Sequence, residues 1–506
     1  MERKEEQTGR VQVELTEKAL PIELTTELTL PDYRSEISRL LWVRPTFMPP
    51  ARFIGGGKAD FSGACYYHAL YVGPDGALYS ACHEDSYAFS VPFDAQSVDG
   101  VEMSAELFPE AVISRVTGPR KMSVRCRMHA RVCGYGDKSL TLRTRGEGED
   151  GQKILTLCDS AECARLYTGG NESFELEDVL LPEGEGEVRV VSCRGELFLP
   201  EVSAGSDVVR CRGEALFTLL LSNEGEGGGA PFAVTRKIPF EREIVLEGVT
   251  PDCHARAWGG MGEMSASVEE GKVLARGSVT LCAEAQGREC VALCRDLLLP
   301  GMHADCRFEE ERLWQMGPCE NRNFSVSGEL PLTELGMPVT AKVIDALADA
   351  EVKEKKREGD RTRLSGELFC HVLYCHDGEY GIADMRLPWH TKIEGGEGEL
   401  GAIATVPLCR AAVSREMLRI DGEVQLSVRG GAHAPTRVLC ETDFTKAAAT
   451  PRADLEICYP SNRESLWEVG KRYGISPYEI ADANAISGEA PGSPDLLQGI
   501  SYLLIP

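Results

Sequence analysis

Three similar segments, about 150 residues apart, constrain the fold of this 506-residue chain more than any other feature. Residues 63–72 align without a gap to residues 213–222 and to residues 366–375. Each segment begins with glycine, and these glycines are 150 and 153 positions apart. A period of this length corresponds to a whole small domain, because solenoid and propeller repeats are much shorter.

Two further landmarks recur at nearly the same spacing. A Leu-Pro pair precedes each segment, and an apolar-Pro-aromatic triplet follows it after a glycine-containing turn. The pairs are Leu30-Pro31, Leu181-Pro182 and Leu330-Pro331, the turns fall at 73–76, 225–229 and 377–378, and the triplets are Val91-Pro92-Phe93, Ile238-Pro239-Phe240 and Leu387-Pro388-Trp389. Because three independent landmarks keep one period, the sequence predicts three copies of one domain.

Each copy has the sequence pattern of β structure. Short segments rich in Val, Ile, Leu, Phe, Tyr and Cys alternate with clusters of Gly, Pro, Asp and Asn. We therefore predict a mainly β chain in which three β-sandwich-like repeats follow one another as independent domains. The glycine-led segments are apolar on both faces, which predicts inner strands. Residues 32–43 are an exception, because their apolar spacing favours a short helix.

The last fifty or so residues follow a different pattern. Residues 455–459 have the composition of a strand, and Ser461 with Glu464 resembles a capping box at the start of a helix. Gly474 is a candidate C-terminal cap, and a second Ser-Pro helix start follows it. Residues 499–506 have the pattern of a closing strand. The segment is therefore predicted to be a small βααβ domain.

These patterns together predict five regions along the chain. We expect β domains at residues 11–165, 166–312 and 313–433, a linker at 434–454 and the βααβ domain at 455–506.

The net charge and the cysteine content restrict the partners and the compartment. The chain has 54 basic and 80 acidic side chains, a net charge of −26, so nucleic acid and anionic membranes are not expected partners. The first ten residues contain no secretory signal, and no run of about 18 apolar residues occurs. We therefore expect a cytoplasmic protein without a transmembrane segment, in which most of the 19 cysteines are free thiols.

The chemistry-bearing motifs argue against an enzyme and against a metal or cofactor. Cys370 and His371 would point to opposite faces of a strand, and His371 lies about 13 Å from Cys375 along it, too far for shared zinc ligation. The glycines at 55–57 precede Lys58, but the spacing and the following residue do not match a phosphate-binding loop. A turn between strands is the preferred interpretation, and no catalytic or metal residues are predicted.

The C-terminal segment resembles a LysM domain. The resemblance rests on Ser465-Leu466-Trp467, Val469, Lys471-Arg472-Tyr473-Gly474-Ile475-Ser476, Ile480, Asn484, Gly499 and Leu504-Ile505-Pro506. In this family a Gly-Asp pair usually precedes the Ser-Leu pair, and here Arg463 and Glu464 stand at those positions. That loop contributes to binding of N-acetylated glycans in typical members, so the change argues against a glycan ligand.

With this C-terminal segment, the three β copies resemble the SPOCS-domain spore-coat proteins of endospore-forming Firmicutes. The head Leu30-Pro31-Asp32, followed by Ser38-Arg39-Leu40-Leu41, carries that resemblance, and the later copies keep part of it. The resemblance implies a scaffold in the mother-cell cytoplasm that is recruited to the forespore surface. It also implies a partner for the LysM domain, a spore-coat morphogenetic protein of the ATPase type.

Seven residues of the LysM-like segment are candidates for binding: Glu464, Ser465, Trp467, Lys471, Arg472, Tyr478 and Asn484. Trp467 has two interpretations, a partly buried helix residue or a binding anchor, since Trp and Arg are enriched at interface hot spots. Our first hypothesis is a scaffold whose LysM-like domain binds a coat protein. The alternative is a cell-wall protein that binds peptidoglycan or another N-acetylglucosamine polymer. Carbohydrate binding or self-association of the β domains is a third option.

Overall fold

The computed structural model describes residues 3–94, 98–145, 153–180, 188–223, 230–269, 272–395, 399–446, 456–461, 463–487, 492–493 and 497–506. The chain is mainly β and has two short helices near its C-terminus, which confirms the predicted class. The pair Leu181-Pro182 and the turn at 225–229 lie outside the described residues. Within the described ranges, no helix is long and apolar enough to cross a membrane.

The first twenty strands form three successive units of like construction. Unit 1 contains β1 (Arg3–Thr29), β2 (Arg39–Phe47), β3 (Ala51–Gly55), β4 (Lys58–Val72), β5 (Leu78–Pro92), β6 (Val98–Gly118) and β7 (Lys121–Arg145). Unit 2 contains β8 (Leu155–Thr168), β9 (Glu172–Leu180), β10 (Val188–Ala204), β11 (Val208–Asn223), β12 (Phe232–Val245), β13 (His254–Glu269) and β14 (Lys272–Leu298). Unit 3 contains β15 (Met302–Pro331), β16 (Lys342–Glu358), β17 (Arg361–His376), β18 (Glu379–Glu394), β19 (Glu399–Ser414) and β20 (Met417–Lys446).

One pairing pattern occurs in all three units. The long last strand, β7, β14 or β20, pairs antiparallel with the first strand of its unit and with the strand that precedes it. The remaining strands form a separate middle sheet, in which β4, β11 or β17 has partners on both sides; the exception is β9 of unit 2, which pairs with β14. The glycine-led segments are thus inner strands, as the sequence predicts.

In each unit the middle sheet packs face to face on the sheet of the last strand. In unit 2, Cys211 and Phe217 of β11 belong to the same buried cluster as Val273 and Val279 of β14. Units 1 and 3 have corresponding clusters between β4 and β7 and between β17 and β20. Removal of this apolar surface from water stabilises each two-layered unit at about 25 cal/mol per Å².

The glycine that begins each repeated segment makes room for an aromatic ring. Gly63, Gly213 and Gly366 lie directly opposite Tyr87, Phe240 and Trp389 on the neighbouring strand. A Cβ atom at these glycines would come within 3.0 Å of the opposing ring. Phe93 of the first predicted triplet is therefore not the structural equivalent of Phe240 and Trp389, because Tyr87 occupies that place.

Several sequence expectations differ from the observed strands. Residues 32–43 form a turn and the start of β2 rather than a helix, since residues 39–43 pair with β4. β8 crosses the expected boundary at 165 and pairs with β14, while β15 begins before the expected boundary at 312. Residues 434–446 of the expected linker belong to β20 and pair with β15, and the rest of the linker lies outside the described residues.

The three units are not independent domains, because they share a common core. One buried cluster contains Val11 and Leu140 of unit 1, Val291 of unit 2, and Leu313 and Val438 of unit 3. Three other buried clusters also contain residues from all three units. The expected array of separate domains is thus replaced by three units packed around one centre.

Buried charges lie at that centre as well. Arg256 of unit 2 pairs with Glu106 of unit 1 and with Glu284 of its own unit. Arg429 of unit 3 donates to Glu284 at 3.0 Å and to the sulfur of Cys133 in unit 1 at 2.9 Å. Because two guanidinium groups face two carboxylates, the formal charges of this cluster balance within a region that water does not reach.

The C-terminal module, defined here as the described residues between 456 and 506, has the predicted order of strand, helix, helix and strand. It contains β21 (Glu456–Cys458), α1 (Leu466–Tyr473), α2 (Pro477–Ala483) and β22 (Leu503–Ile505). β21 and β22 pair antiparallel, and the helices cover one face of this ribbon. The module has its own small core of Cys458, Leu466, Val469, Ile480 and Leu503.

Candidate binding module

Local sequence determines where α1 begins and ends. The Ser465 side chain accepts a hydrogen bond from the Glu468 backbone N–H, and the Glu468 carboxylate accepts one from the Ser465 backbone N–H. This reciprocal pair satisfies two backbone donors that a helix start leaves without partners. Gly474 ends the helix with a left-handed φ of 64°. Ser465 is therefore a helix cap, and its side chain is not presented to a ligand.

The α1 face that carries Trp467 and Lys471 packs on unit 2. Trp467 is only 2% exposed, and its indole N–H donates to Oδ2 of Asp296 at 3.0 Å. Lys471 Nζ lies 2.9 and 2.8 Å from the two oxygens of the same carboxylate. The backbone N–H of Gly301 adds a hydrogen bond to the Gly474 carbonyl oxygen at 2.9 Å. Of the two interpretations of Trp467, the structure shows the buried helix residue. Asp296 accepts the hydrogen bond of its indole N–H.

Glu464 and Arg472 hold the loop before α1. The Glu464 carboxylate accepts from the backbone N–H of Ser461 at 2.9 Å and pairs with Arg472 at 3.0 Å. Arg472 also donates to the sulfur of Cys458 at 3.0 Å, and its guanidinium lies over the Tyr473 ring. These contacts close the loop on the helix, so both side chains have a structural role within the module.

Arg463, which stands where LysM domains usually have glycine, adopts a φ of 76°. This is the left-handed region that glycine enters without steric cost and that an L side chain enters at a cost of roughly 1–2 kcal/mol. The backbone at Arg463 therefore has a conformation that suits glycine better than arginine.

Asn484 ties the second helix to the last strand. Its amide group donates to the carbonyl oxygens of Ile480 and Leu504, both at 2.7 Å, and its side-chain oxygen accepts from the Leu504 backbone N–H at 2.7 Å. Both N–H donors and the oxygen acceptor of the Asn484 amide thus have partners inside the module. Asn484 therefore fixes the position of α2 against β22 rather than offering hydrogen bonds to a partner.

Of the predicted binding residues, Tyr478 is exposed at 47%, and the side chains of Lys471 and Arg472 are exposed at 39% and 46%. Three further exposed apolar side chains, which the sequence analysis missed, lie on or directly beside the β21–β22 ribbon: Ile457 at 49%, Tyr459 at 73% and Tyr502 at 55%. Ile457 and Tyr459 alternate with buried Cys458, so they share the outer face of the ribbon. Tyr459 and Tyr502 flank the paired residues Cys458 and Leu503. We call Ile457, Tyr459 and Tyr502 the aromatic face.

The alternation of Ile457, Cys458 and Tyr459 is a pattern from which the exposed face could have been predicted. In a half-buried strand, the residues on either side of a buried one point outward, so two large apolar residues flanking Cys458 indicate an exposed apolar face. The structure thus adds a second candidate surface to the predicted residues: α1 packs on unit 2, and the outer strand face exposes large apolar side chains. Exposed tyrosines suit binding, because each offers an apolar ring and a hydroxyl group.

An open hollow of about 400 Å³ lies on the outer face of the middle sheet of unit 1. Phe53 and Asp60 line it, and the Asp60 carboxylate is already engaged by Lys58 and Ser90. The predicted turn at glycines 55–57 lies beside it and joins β3 to β4. Nothing in this hollow selects a particular ligand, so the C-terminal module remains the stronger candidate.

The chain was also compared with known proteins. No protein-family model, no curated protein and no solved structure matches it significantly.

Proposed function

We propose that this protein is a non-enzymatic scaffold in endospore coat assembly, and that its C-terminal module binds a coat morphogenetic protein of the ATPase type. In this proposal the protein acts in the mother-cell cytoplasm, at the forespore surface. The three-unit body provides a rigid platform, and the module provides the contact. The proposal rests on the LysM-like residues of the module together with the SPOCS-like head of the β copies.

One structural observation favours a binding role for the module. The aromatic face of Ile457, Tyr459 and Tyr502 points away from the helices that cover the other side of the ribbon, while Asp296 holds α1 against unit 2. A module fixed at one face and exposing large apolar side chains at another has the layout of an adaptor. Exposed tyrosines are also typical of interface hot spots.

A glycan ligand is the alternative, and the same tyrosines could stack on sugar rings. Two observations support a protein partner over a glycan. Glu464 stands at the position where the LysM family has Asp, and its carboxylate accepts a hydrogen bond from Ser461 and pairs with Arg472. Arg463 adds a bulky side chain to the loop where typical members have glycine. A loop altered in this way differs from the one that contributes to glycan binding in typical members.

The test is a binding measurement with the full chain and a purified spore-coat ATPase. We expect the double variant Tyr459→Ala, Tyr502→Ala to weaken binding by roughly 30-fold, the effect of losing about 2 kcal/mol at a hot spot. The matched control is Tyr33→Ala, which removes an exposed tyrosine of unit 1 and should leave the affinity unchanged.

A sedimentation assay with insoluble peptidoglycan distinguishes the alternative. If the full chain sediments with peptidoglycan and the tyrosine double variant does not, while ATPase binding is unaffected, then the glycan hypothesis is correct and the adaptor hypothesis is wrong. Analytical ultracentrifugation of the same proteins measures self-association, which would appear as a concentration-dependent mass.

A further inference from the structure

Two cysteines face each other across the β8–β14 pair. The register of these antiparallel strands places Cys158 directly opposite Cys294. Directly opposed residues in an antiparallel pair have Cα atoms about 4.5–5.5 Å apart, inside the range of about 4.4–6.8 Å that disulfides require. The two side chains also point to the same face of the sheet, because opposed residues do so in every antiparallel pair.

The two cysteines are cross-strand neighbours and differ in exposure. Cys158 is exposed, whereas Cys294 is buried in a cluster with Leu142, Leu297 and Phe444. Burial raises the pKa of the Cys294 thiol to about 12, and the neighbouring Cys158 adds to the shift. Cys294 is therefore protonated at neutral pH, and Cys158 is the sulfur that a dissolved oxidant reaches.

This cysteine pair lies next to the residue that holds the C-terminal module. The β8–β14 register shifts between Cys294 and Asp296, so Arg295 is an extra residue that turns the strand. The Cys294 sulfur lies 3.7 Å from the Asp296 carbonyl oxygen. The Asp296 side chain is the group that receives Trp467 and Lys471 of the C-terminal module. The thiol pair and the docking carboxylate thus share one bulge.

We propose that Cys158 and Cys294 are a redox modification site, which hydrogen peroxide converts to a disulfide, and that this disulfide loosens the C-terminal module from unit 2. Formation of the bond draws the Cys294 sulfur toward β8 and away from the Asp296 carbonyl group. The bulge that aims the Asp296 carboxylate must then adjust, which weakens its hydrogen bonds to α1. The proposal concerns the body of the protein and does not depend on which partner the module binds.

The chemistry needs no group beyond the two thiols and the peroxide. The Cys158 thiolate attacks one peroxide oxygen, the O–O bond breaks, and hydroxide leaves, so that Cys158 becomes a sulfenic acid. The Cys294 sulfur then attacks the Cys158 sulfur, the S–O bond breaks, and the hydroxyl group leaves as water with the Cys294 thiol proton. In total, two thiols and one peroxide yield one disulfide and two waters. An added dithiol reverses the reaction.

The experiment treats the folded full chain with hydrogen peroxide, blocks the remaining thiols by alkylation, and identifies disulfide-linked peptides by mass spectrometry. We expect a Cys158–Cys294 linkage that dithiothreitol removes. The matched control residue is Cys290, which is also exposed and lies on the same strand, where its cross-strand partner is Glu162 rather than a cysteine. Cys290→Ser should leave the linkage unchanged, whereas Cys158→Ser should abolish it. If the folded wild type forms no such linkage, the proposal is wrong.

The effect on docking has its own measurement. Oxidation should shift the fluorescence emission of Trp467 to longer wavelength, because the indole becomes more exposed to water when the module loosens. The oxidised-minus-reduced difference spectrum of the wild type isolates this change, and it should be absent in Cys158→Ser and in Trp467→Phe. A disulfide that forms without any change in emission would disprove the coupling to the module.

Discussion

Arg429 of unit 3 donates a hydrogen bond from Nη1 to Oε1 of Glu284 in unit 2 at 3.0 Å, although 145 positions separate the two residues. Each is the thirteenth residue of the long last strand of its unit, and Cys133 is the thirteenth residue of the corresponding strand in unit 1. One position of the repeat thus supplies a thiol, a carboxylate and a guanidinium that meet at the centre. The three units thus carry different residues at this equivalent position, where they contact one another.

Replacement of Glu284 should be strongly destabilising. Glu284→Gln leaves Arg256 and Arg429 with one carboxylate, Glu106, between them in a buried site. We expect a loss of about 3–5 kcal/mol in the free energy of unfolding, as for other buried charges that lose a partner. Urea denaturation measures it, and Glu241→Gln, at an exposed ion pair with Arg212, is a control that should change stability by less than about 1 kcal/mol.

The same variant should show a defined pH dependence. Burial disfavours the charged form of Glu284, but Arg256 and Arg429 outweigh it and lower the pKa to about 2 from the ordinary 4.5. Stability from this carboxylate is complete above pH 4.5 and is lost as the pH falls toward 2. The difference in urea midpoint between wild type and Glu284→Gln should therefore narrow below pH 4.5. A constant difference down to pH 2 would contradict this assignment.

His68 should make the stability of the protein depend on pH in a less acidic range than Glu284 does. Desolvation and the guanidinium groups of Arg44 and Arg194 lower the pKa of this half-buried imidazole to about 4. Folding then favours the neutral ring, so its stabilising contribution is complete above pH 6.5 and decreases as the pH falls to 4. His68→Gln should flatten the stability curve between these values, by less than about 1.4 kcal/mol per pH unit. His303→Gln, at an exposed histidine, should leave the curve unchanged.

Sequence periodicity predicted the repeat, the inner strands and the element order of the C-terminal module because all three are encoded locally. The alignment of the Pro-aromatic triplets was only partly informative. Gly366 needs a ring opposite it, and Trp389 supplies that ring, but in unit 1 the ring comes from Tyr87, six positions before Phe93. An aromatic ring thus lies opposite the glycine in units 1 and 3, although in unit 1 it does not belong to the Pro-aromatic triplet.

The contacts between units could not be predicted in the same way. Glu106, Arg256 and Arg429 each read as an ordinary charged residue of a strand, and only the packing of the three units brings them together. The environment of Trp467 could not be predicted either, because its position on α1 is compatible with exposure to solvent and with burial. The decisive residue is Asp296, which lies 171 positions earlier, and no local pattern identifies it as a partner.

Arg463→Gly should stabilise the C-terminal module. Arg463 has a φ of 76°, and glycine removes the steric cost of that conformation, roughly 1–2 kcal/mol, against an entropic cost of roughly 0.5–1 kcal/mol. We expect a net gain of about 0.5–1 kcal/mol, measured as slower hydrogen exchange of the α1 amides. Arg463→Ala keeps the Cβ atom and should bring no gain. Equal gains in both variants would show that the arginine side chain, rather than its backbone conformation, is the source of the cost.

Asp296→Ala should release the C-terminal module from unit 2 while both remain folded. The substitution removes the acceptor of Trp467 and Lys471, and hydrogen bonds to a charged group contribute about 1.5–3 kcal/mol each when a partner is lost. The emission of Trp467 should shift to longer wavelength, and thermal unfolding should show a separate early transition for the module. The control is Asp159→Ala on neighbouring β8, whose ion pair with Arg295 is largely exposed, so its spectrum and unfolding should match the wild type. If Asp296→Ala leaves the Trp467 emission unchanged, apolar contacts rather than the shared carboxylate hold the module, and the effect expected of the Cys158–Cys294 disulfide would lose its basis.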